Sequence, residues 1–201
     1  MKTTKTLVIY AHPDTGGHCS IIKEEVKKAL ERFKIDYELI DLYKIGYDPI
    51  LHEKEHYTRG KRDVSVQNQK FQEKIRESDE LIFIYPIWWN SMPAILKGFF
   101  DRVFTARFAF IYKNPWYSPI PVPIGLLKGK NAIVFITSGA TNLLSMIFQG
   151  FRAQKIMKND ILRFCGIKSK VYQLGNANDL TEKNIKRIKK TVERAISSHY
   201  R

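Results

Sequence analysis

Apolar residues gather in five short runs along the chain, at 6–11, 37–42, 81–85, 131–137 and 170–174, each of strand length. Three of them, LVIYA, LIFIY and AIVFI, are almost continuously apolar, as strands buried on both faces of a parallel sheet are. YELIDLY alternates instead and reads as a less buried strand. The segments 20–33, 67–77, 92–104, 143–164 and 182–198 carry apolar positions three and four apart, which predicts amphipathic helices. Strand and helix therefore alternate five times. Right-handed crossovers then give an α/β fold, a doubly wound sheet of five parallel strands with helices on both faces, for which 2-1-3-4-5 is the economical strand order. Ligands of such sheets sit beyond the carboxyl ends of the strands, which brings the loops AHPDTGGHCS, PIWWNS and TSGATN together.

Two connections are longer than this scheme needs. The first, 43–66, is charged; the second, 105–130, is rich in proline and aromatic residues, and Pro115, Pro119, Pro121 and Pro123 stiffen it into an ordered flap that covers a site or makes a subunit interface. At 201 residues the chain is read as one domain, 1–201. No apolar run reaches the roughly 18 residues of a membrane span, and MKTTKTLVIYAHP reads as a first strand rather than a signal peptide. Cys19 and Cys165 supply neither a disulfide framework nor zinc-knuckle spacing, so a reducing, cytoplasmic location is expected. The 34 Lys+Arg against 20 Asp+Glu give a net charge of +14, which favours anionic ligands. These lysines are spread over helix surfaces without a dense basic arm, so the excess reads as a solvated face and no nucleic-acid partner is expected.

The loop HPDTGGHCS runs into a helix start, where free amides and the dipole favour an anion and Gly16 and Gly17 permit close approach. It is a phosphate-loop candidate that matches neither GxGxxG nor a Walker loop; a plain turn capped by Ser20 is the alternative reading. His12, Asp14, His18 and Cys19 crowd together without metal-ligand geometry, and no metal is expected there. HEKEH, His52 to His56, satisfies the H-E-x-x-H pattern, in which His52 and His56 would hold zinc on one helix face, Glu53 would activate water and Glu77 would stand downstream as a third ligand. Its surroundings offer a helix no apolar face to bury, so a zinc hydrolase stays a remote alternative.

In YPIWWNSMPAILKGFFDRVF, Pro86 ends a strand, Ser91 caps the next helix and Pro93 sits in its first turn. Ile95, Phe99 and Val103, with Leu96, Phe100 and Phe104, form the buried stripe of that helix. Neighbours in an extended loop point in opposite directions, so at most one of Trp88 and Trp89 enters the core and the other walls a flat ligand. TSGAT adds small residues, amides and the hydroxyls of Thr137, Ser138 and Thr141. A phosphate cradle, an aromatic slot and a loop of donors together suit a flavin nucleotide.

The motifs LVIYAHPD, YPIWWNSMPAILKGFFDRVFTARFAFIY and GLLKGKNAIVFITSGAT, over about 6–170, resemble the flavodoxin-like NAD(P)H dehydrogenases, or quinone reductases, including the ancillary oxidoreductases of potassium-efflux systems. The resemblance implies an enzyme holding FMN or FAD, often as a homodimer, that takes hydride from NADPH or NADH at flavin N5. It then passes two electrons to a quinone or similar small-molecule acceptor. It implies that His12, His18, Cys19 and Ser20 hold the flavin phosphates. Pro86, Ile87, Trp88 and Trp89 line the isoalloxazine, and Thr137, Ser138, Gly139 and Ala140 face its pyrimidine end. Asn90 stands where relatives carry an aromatic residue, and Ser145 and Arg152 stand near the tyrosine and histidine that assist hydride transfer in the animal enzymes. The catalytic side chains are therefore left unassigned, with flavin N5 carrying the chemistry. Arg107, Tyr112 and Arg152 are candidates for binding an anionic substrate or the phosphate of NADPH. A flavin-binding regulatory subunit docked on a membrane transporter, its basic surface toward partner or lipid, is the alternative function.

Overall fold

The structure, a computed structural model, describes residues 5–56, 63–114 and 120–200. Five strands, β1 (Lys5–Tyr10), β2 (Asp36–Asp41), β3 (Glu80–Pro86), β6 (Asn131–Thr137) and β7 (Lys168–Leu174), form one sheet in the order β2-β1-β3-β6-β7. Every neighbouring pair in it is parallel. This is the predicted 2-1-3-4-5 order; β4 (Phe110–Lys113) and β5 (Val122–Gly125), absent from the sequence reading, form a separate antiparallel hairpin within the 105–130 flap. Pro115 and Pro119, two of the four prolines expected to stiffen that flap, lie outside the described residues.

The continuous apolar runs are explained by what covers the sheet. On one face Leu7, Phe83 and Val134 meet α2 (Val66–Glu77), α3 (Ala94–Val103) and a π-helix (Ile156–Arg163). On the other, Val8, Ile82 and Phe135 meet α1 (His18–Arg32) and α6 (Glu182–Tyr200). Successive side chains enter different cores, so neither face of β3 tolerates polarity. At about 1.5–3 kcal/mol for each buried aliphatic or aromatic side chain, this burial is the dominant favourable term.

Helix boundaries differ from the sequence reading where local turn chemistry intervenes. Gly17, not Ser20, is the N-cap of α1, and α3 starts at Ala94 with Pro93 at its N-cap, so Ser91 caps nothing. β3 continues through Pro86, which pairs with Thr137. The single helix expected over 143–164 breaks after α4 (Asn142–Gln149), because Gly150 and Phe151 both take left-handed conformations, φ 53° and 54°; α5 (Arg152–Lys155) then leads into the π-helix.

HEKEH does not form the helix its zinc chemistry needs. Glu53–Glu55 is one 3-10 turn, His52 Nε2 lies 2.7 Å from Asp48 Oδ2, and Glu55 takes both Nε and Nη2 of buried Arg102 at 2.9 and 3.0 Å. The motif's second glutamate thus ties the 43–66 connection to α3. Among the described residues no group of three or more His, Cys, Asp or Glu is placed to hold a metal ion, and no helix is long and apolar enough to cross a membrane.

The same connection lies tight against α3, where a Cβ at Gly98 would stand 2.2 Å from the carbonyl oxygen of Pro49. In an exposed helix interior Gly→Ala raises stability by about 1 kcal/mol. Here the sign inverts: Gly98→Ala is expected to lower the urea midpoint, and an unchanged or raised midpoint would show that the Pro49 segment moves aside freely.

Candidate active site

The loops after β1, β3, β6 and β7 converge past the carboxyl ends of the strands and enclose a cleft. Its first wall is the β1–α1 loop. Asp14 organises this loop: its amide donates to His12 Nδ1 (3.0 Å), its Oδ1 accepts from the Gly16 amide (2.9 Å), and its carbonyl accepts from the Tyr10 hydroxyl (3.1 Å). A Cβ at Gly17 would meet Asp14 Oδ2 at 2.6 Å, so any other residue there would displace the Asp14 carboxylate. Gly17 offers α1 no side-chain cap, and the amides of its first turn keep their capacity for an anion. Ser20 points elsewhere; its hydroxyl donates to the Thr15 carbonyl at 2.6 Å.

His18 is 7% exposed and lines the cleft, and its Nε2 is buried without a hydrogen-bond partner. Burial pushes its pKa down; the Asp179 backbone opposes this and the Arg187 guanidinium adds to it. A buried imidazole nitrogen with no partner is costly unless a ligand supplies one. Cys19, beside it, is no nucleophile: burial pushes its thiol up to about 12, and its sulfur lies 3.2 Å from Thr137 Oγ1.

The second wall is the β3–α3 loop. The Ile87 amide donates to the Thr137 carbonyl at 2.7 Å, and Trp88 and Ser91 then exchange two backbone hydrogen bonds of 3.0 Å around a two-residue turn. Trp89 (φ 50°) and Asn90 (φ 58°) are both left-handed, the pattern of a type I′ turn. The sequence reading lets at most one tryptophan enter the core; the turn carries both rings outward. Trp88 is 41% exposed with its ring 5.9 Å from that of His12, and Trp89 is 101% exposed.

The third wall is the loop after β6, held by a polar network that the sequence did not reveal. Gln173 of β7 donates from Nε2 to Ser138 Oγ (3.1 Å) and to Ser145 Oγ (2.9 Å), while its Oε1 accepts from Gln154 (2.9 Å). Ser138 Oγ in turn donates to the Ala140 carbonyl at 3.0 Å, and Thr141 caps α4. Among the described residues nothing accepts from the amides of Gly139 and Ala140. The loop after β7 closes the fourth side: the Ala177 amide donates to the Ser138 carbonyl at 2.9 Å, and Ala177, Asn178 and Leu180 line the cleft. The turn-forming run GNAND was the one available signal for that wall, and it lacks any chemical motif.

The cleft has two lobes. The larger, of about 470 Å³, is lined by His12, His18, Cys19, Pro86, Ile87, Trp88, Thr137, Ser138 and Gly139 among the predicted residues. The smaller, of about 350 Å³, shares Ile87, Ser138 and Gly139 and adds Trp89, Ala140 and Gln149. Of the predicted cofactor residues only Ser20 lines neither lobe. The three substrate candidates also lie outside both. Arg107 lines a separate cavity with Thr105 and Phe110, Tyr112 is exposed on β4, and Arg152 is exposed at the start of α5. Helix α3 returns the chain to the amino ends of the strands before the flap begins, and Phe110 packs there on Phe164 with ring centroids 4.9 Å apart. The flap's described strands thus cover no part of their own chain's cleft.

Known proteins agree with this geometry. The chain is 28% identical over 173 residues to an uncharacterized NAD(P)H oxidoreductase of Haemophilus influenzae, covering 84% of this chain and 81% of that protein. It is 30% identical over 158 residues to the human ribosyldihydronicotinamide dehydrogenase [quinone], covering 70% of this chain and 66% of the human one. In fold it matches an FMN-dependent NADH-azoreductase of Bacillus anthracis, solved with FMN, at TM-score 0.80 and 21% identity, over 98% of this chain and 100% of that one. The family described as "Flavodoxin-like fold" matches residues 4–197, and with the sheet order and the cleft in agreement the chain belongs to that family.

Proposed function

We propose that this chain is an oxidoreductase that binds FMN in the cleft and uses NADH or NADPH to reduce a quinone or azo compound. The observation that carries the reading is the buried, unpartnered Nε2 of His18 in the larger lobe, beside the uncapped first turn of α1. Together they fit a phosphate, and the tryptophan-walled slot a few residues away fits a flat ring. The names of the quinone-dependent and azo-reducing relatives point the same way.

When bound, the flavin supplies a two-electron centre that takes hydride from nicotinamide and returns two electrons, with protons, to the acceptor. The protein's part is placement and electrostatics. His18 and the α1 amides hold the phosphate, and Ile87 and Trp88 flank the ring. The amides of Gly139 and Ala140, from which no described residue accepts, would serve the ring's polar edge, where negative charge develops on reduction. Gln173, by tying Ser138 to Ser145, keeps that loop from relaxing.

The same reading makes the chain a homodimer. In α4 only Ser145 is buried, whereas Leu143, Met146, Ile147 and Phe148 are exposed, Phe148 by 77%. This inverted helix carries its apolar side outward next to Gln149 and Trp89 at the rim of the smaller lobe. A second copy seated there would both bury the patch and roof the cleft.

Three outcomes are expected. The FMN-loaded protein should oxidise NADH or NADPH in the presence of a soluble quinone, and flavin-bound protein without turnover on quinones or azo dyes would contradict the enzyme reading. Trp89→Gly should raise stability by about 1 kcal/mol, because it relieves a non-glycine left-handed residue whose ring is in solvent, yet it should slow quinone reduction; stability falling with activity unchanged would make Trp89 structural. Phe148→Glu should turn a dimer into a monomer in sedimentation analysis while leaving the monomer folded, and a wild-type monomer would remove the dimer.

A further inference from the structure

The flavin reading leaves the opposite end of the sheet unused. Strands β6 and β7 are seven residues each, so their amino ends stand about 20 Å from the cleft. There, two adjoining grooves of about 440 and 710 Å³ share Lys128, Asn159, Arg163 and Gly166, and the larger adds Lys158 and Lys168. No carboxylate is among the lining residues of either groove. Among the described residues, Lys128, Lys158, Arg163 and Lys168 form no ion pair, whereas Lys27, Lys97 and Lys186 each pair with an acid three or four residues away on their own helices.

Two further observations separate this groove from a merely basic surface. The first is the winding of Ile156–Arg163: an eight-residue π-helix is rare, and its i→i+5 repeat brings residues five apart onto one side. Lys158 and Arg163 are five apart, and with Asn159 they face the groove together; the helix's acid, Asp160, does not line it. The second is Ser169, which lines the larger groove with a buried hydroxyl that has no hydrogen-bond partner. A flat membrane or a polymer laid across the surface meets the lysines first and the sunken hydroxyl last, whereas a compact ligand fills both.

We propose that this groove is a second ligand site, for a small molecule carrying two or more phosphate groups. Lys128, Lys158, Arg163 and Lys168 surround the phosphates, Arg163 with a fork of donors, and Ser169 Oγ donates from the floor. The volume is that of a small-molecule site. The proposal does not depend on the flavin reading, since none of these residues lines the cleft.

Calorimetric titration with inorganic tripolyphosphate at low salt, with and without FMN, tests it. Wild type should bind at an affinity FMN does not change. Lys158→Ala/Arg163→Ala should weaken binding about tenfold or more and Ser169→Ala a few fold, while Lys186→Ala/Lys189→Ala, an equal charge loss on α6, should leave it within about twofold. Because Lys158, Arg163, Lys186 and Lys189 are all exposed, both double variants should keep the wild-type melting temperature. No binding, equal weakening by both double variants, competition by FMN, or groove-dependent binding of phosphatidylserine vesicles without tripolyphosphate binding would each overturn it.

Discussion

Burial of the parallel sheet on both faces is the constraint from which the rest of this molecule follows. Helices occupy each side, so no side chain in the middle of β1, β3 or β6 is available for chemistry. What the fold leaves free are the strand ends, and the parallel direction puts four carboxyl ends side by side. The cleft is therefore built from loops, and its recognition groups are mostly backbone amides and one buried imidazole rather than a set of acids and bases.

Loops hold an angle only if something fixes them. In this protein the fixing is polar and partly strained. Asp14 sets the β1–α1 turn through three contacts around His12, Gly16 and Tyr10, and Gln173 locks Ser138 to Ser145 behind the loop after β6. Trp89 sits in a left-handed conformation with its ring wholly in solvent, an arrangement that contributes nothing to folding and costs about 1 kcal/mol. In the proposed reading, a ligand and a second chain offset the local cost at the cleft rim and cover the apolar helix turned outward beside it.

Much of this was legible in the sequence because it depends on periodicity. Doubly buried strands are written as LVIYA, LIFIY and AIVFI, and their alternation with helices points to a parallel doubly wound sheet, for which 2-1-3-4-5 is the economical order. The loops that carry the site follow from topology alone, which is why His12, His18 and the Trp88 and Ser138 regions were found. What stayed illegible depends on turn geometry and long-range pairing. Ser20 looks like a cap, yet Gly17 takes that place; WW looks like half core, yet a type I′ turn exposes both rings. HEKEH reads as a zinc motif until Glu55 is seen to neutralise Arg102, 47 residues away. Gln173 and the GNAND loop have no motif, since their role arises only when β7 aligns beside β6. Arg107 and Tyr112 suggested a substrate contact only if the flap faced the cleft, but the crossover helix carries the flap to the other end of the sheet.

In the proposed function, His18 and the start of α1 bind the phosphate of a flavin whose ring lies against Trp88. Calorimetry of FMN against riboflavin, on wild type and His18→Ala, tests it most directly, because the two ligands share the ring and differ in the phosphate. The account predicts that wild type binds FMN tighter than riboflavin by well over about tenfold, and that His18→Ala loses most of that difference while binding riboflavin as before. Equal affinity for the two ligands in wild type, or a preference for FMN that survives in His18→Ala, would contradict it.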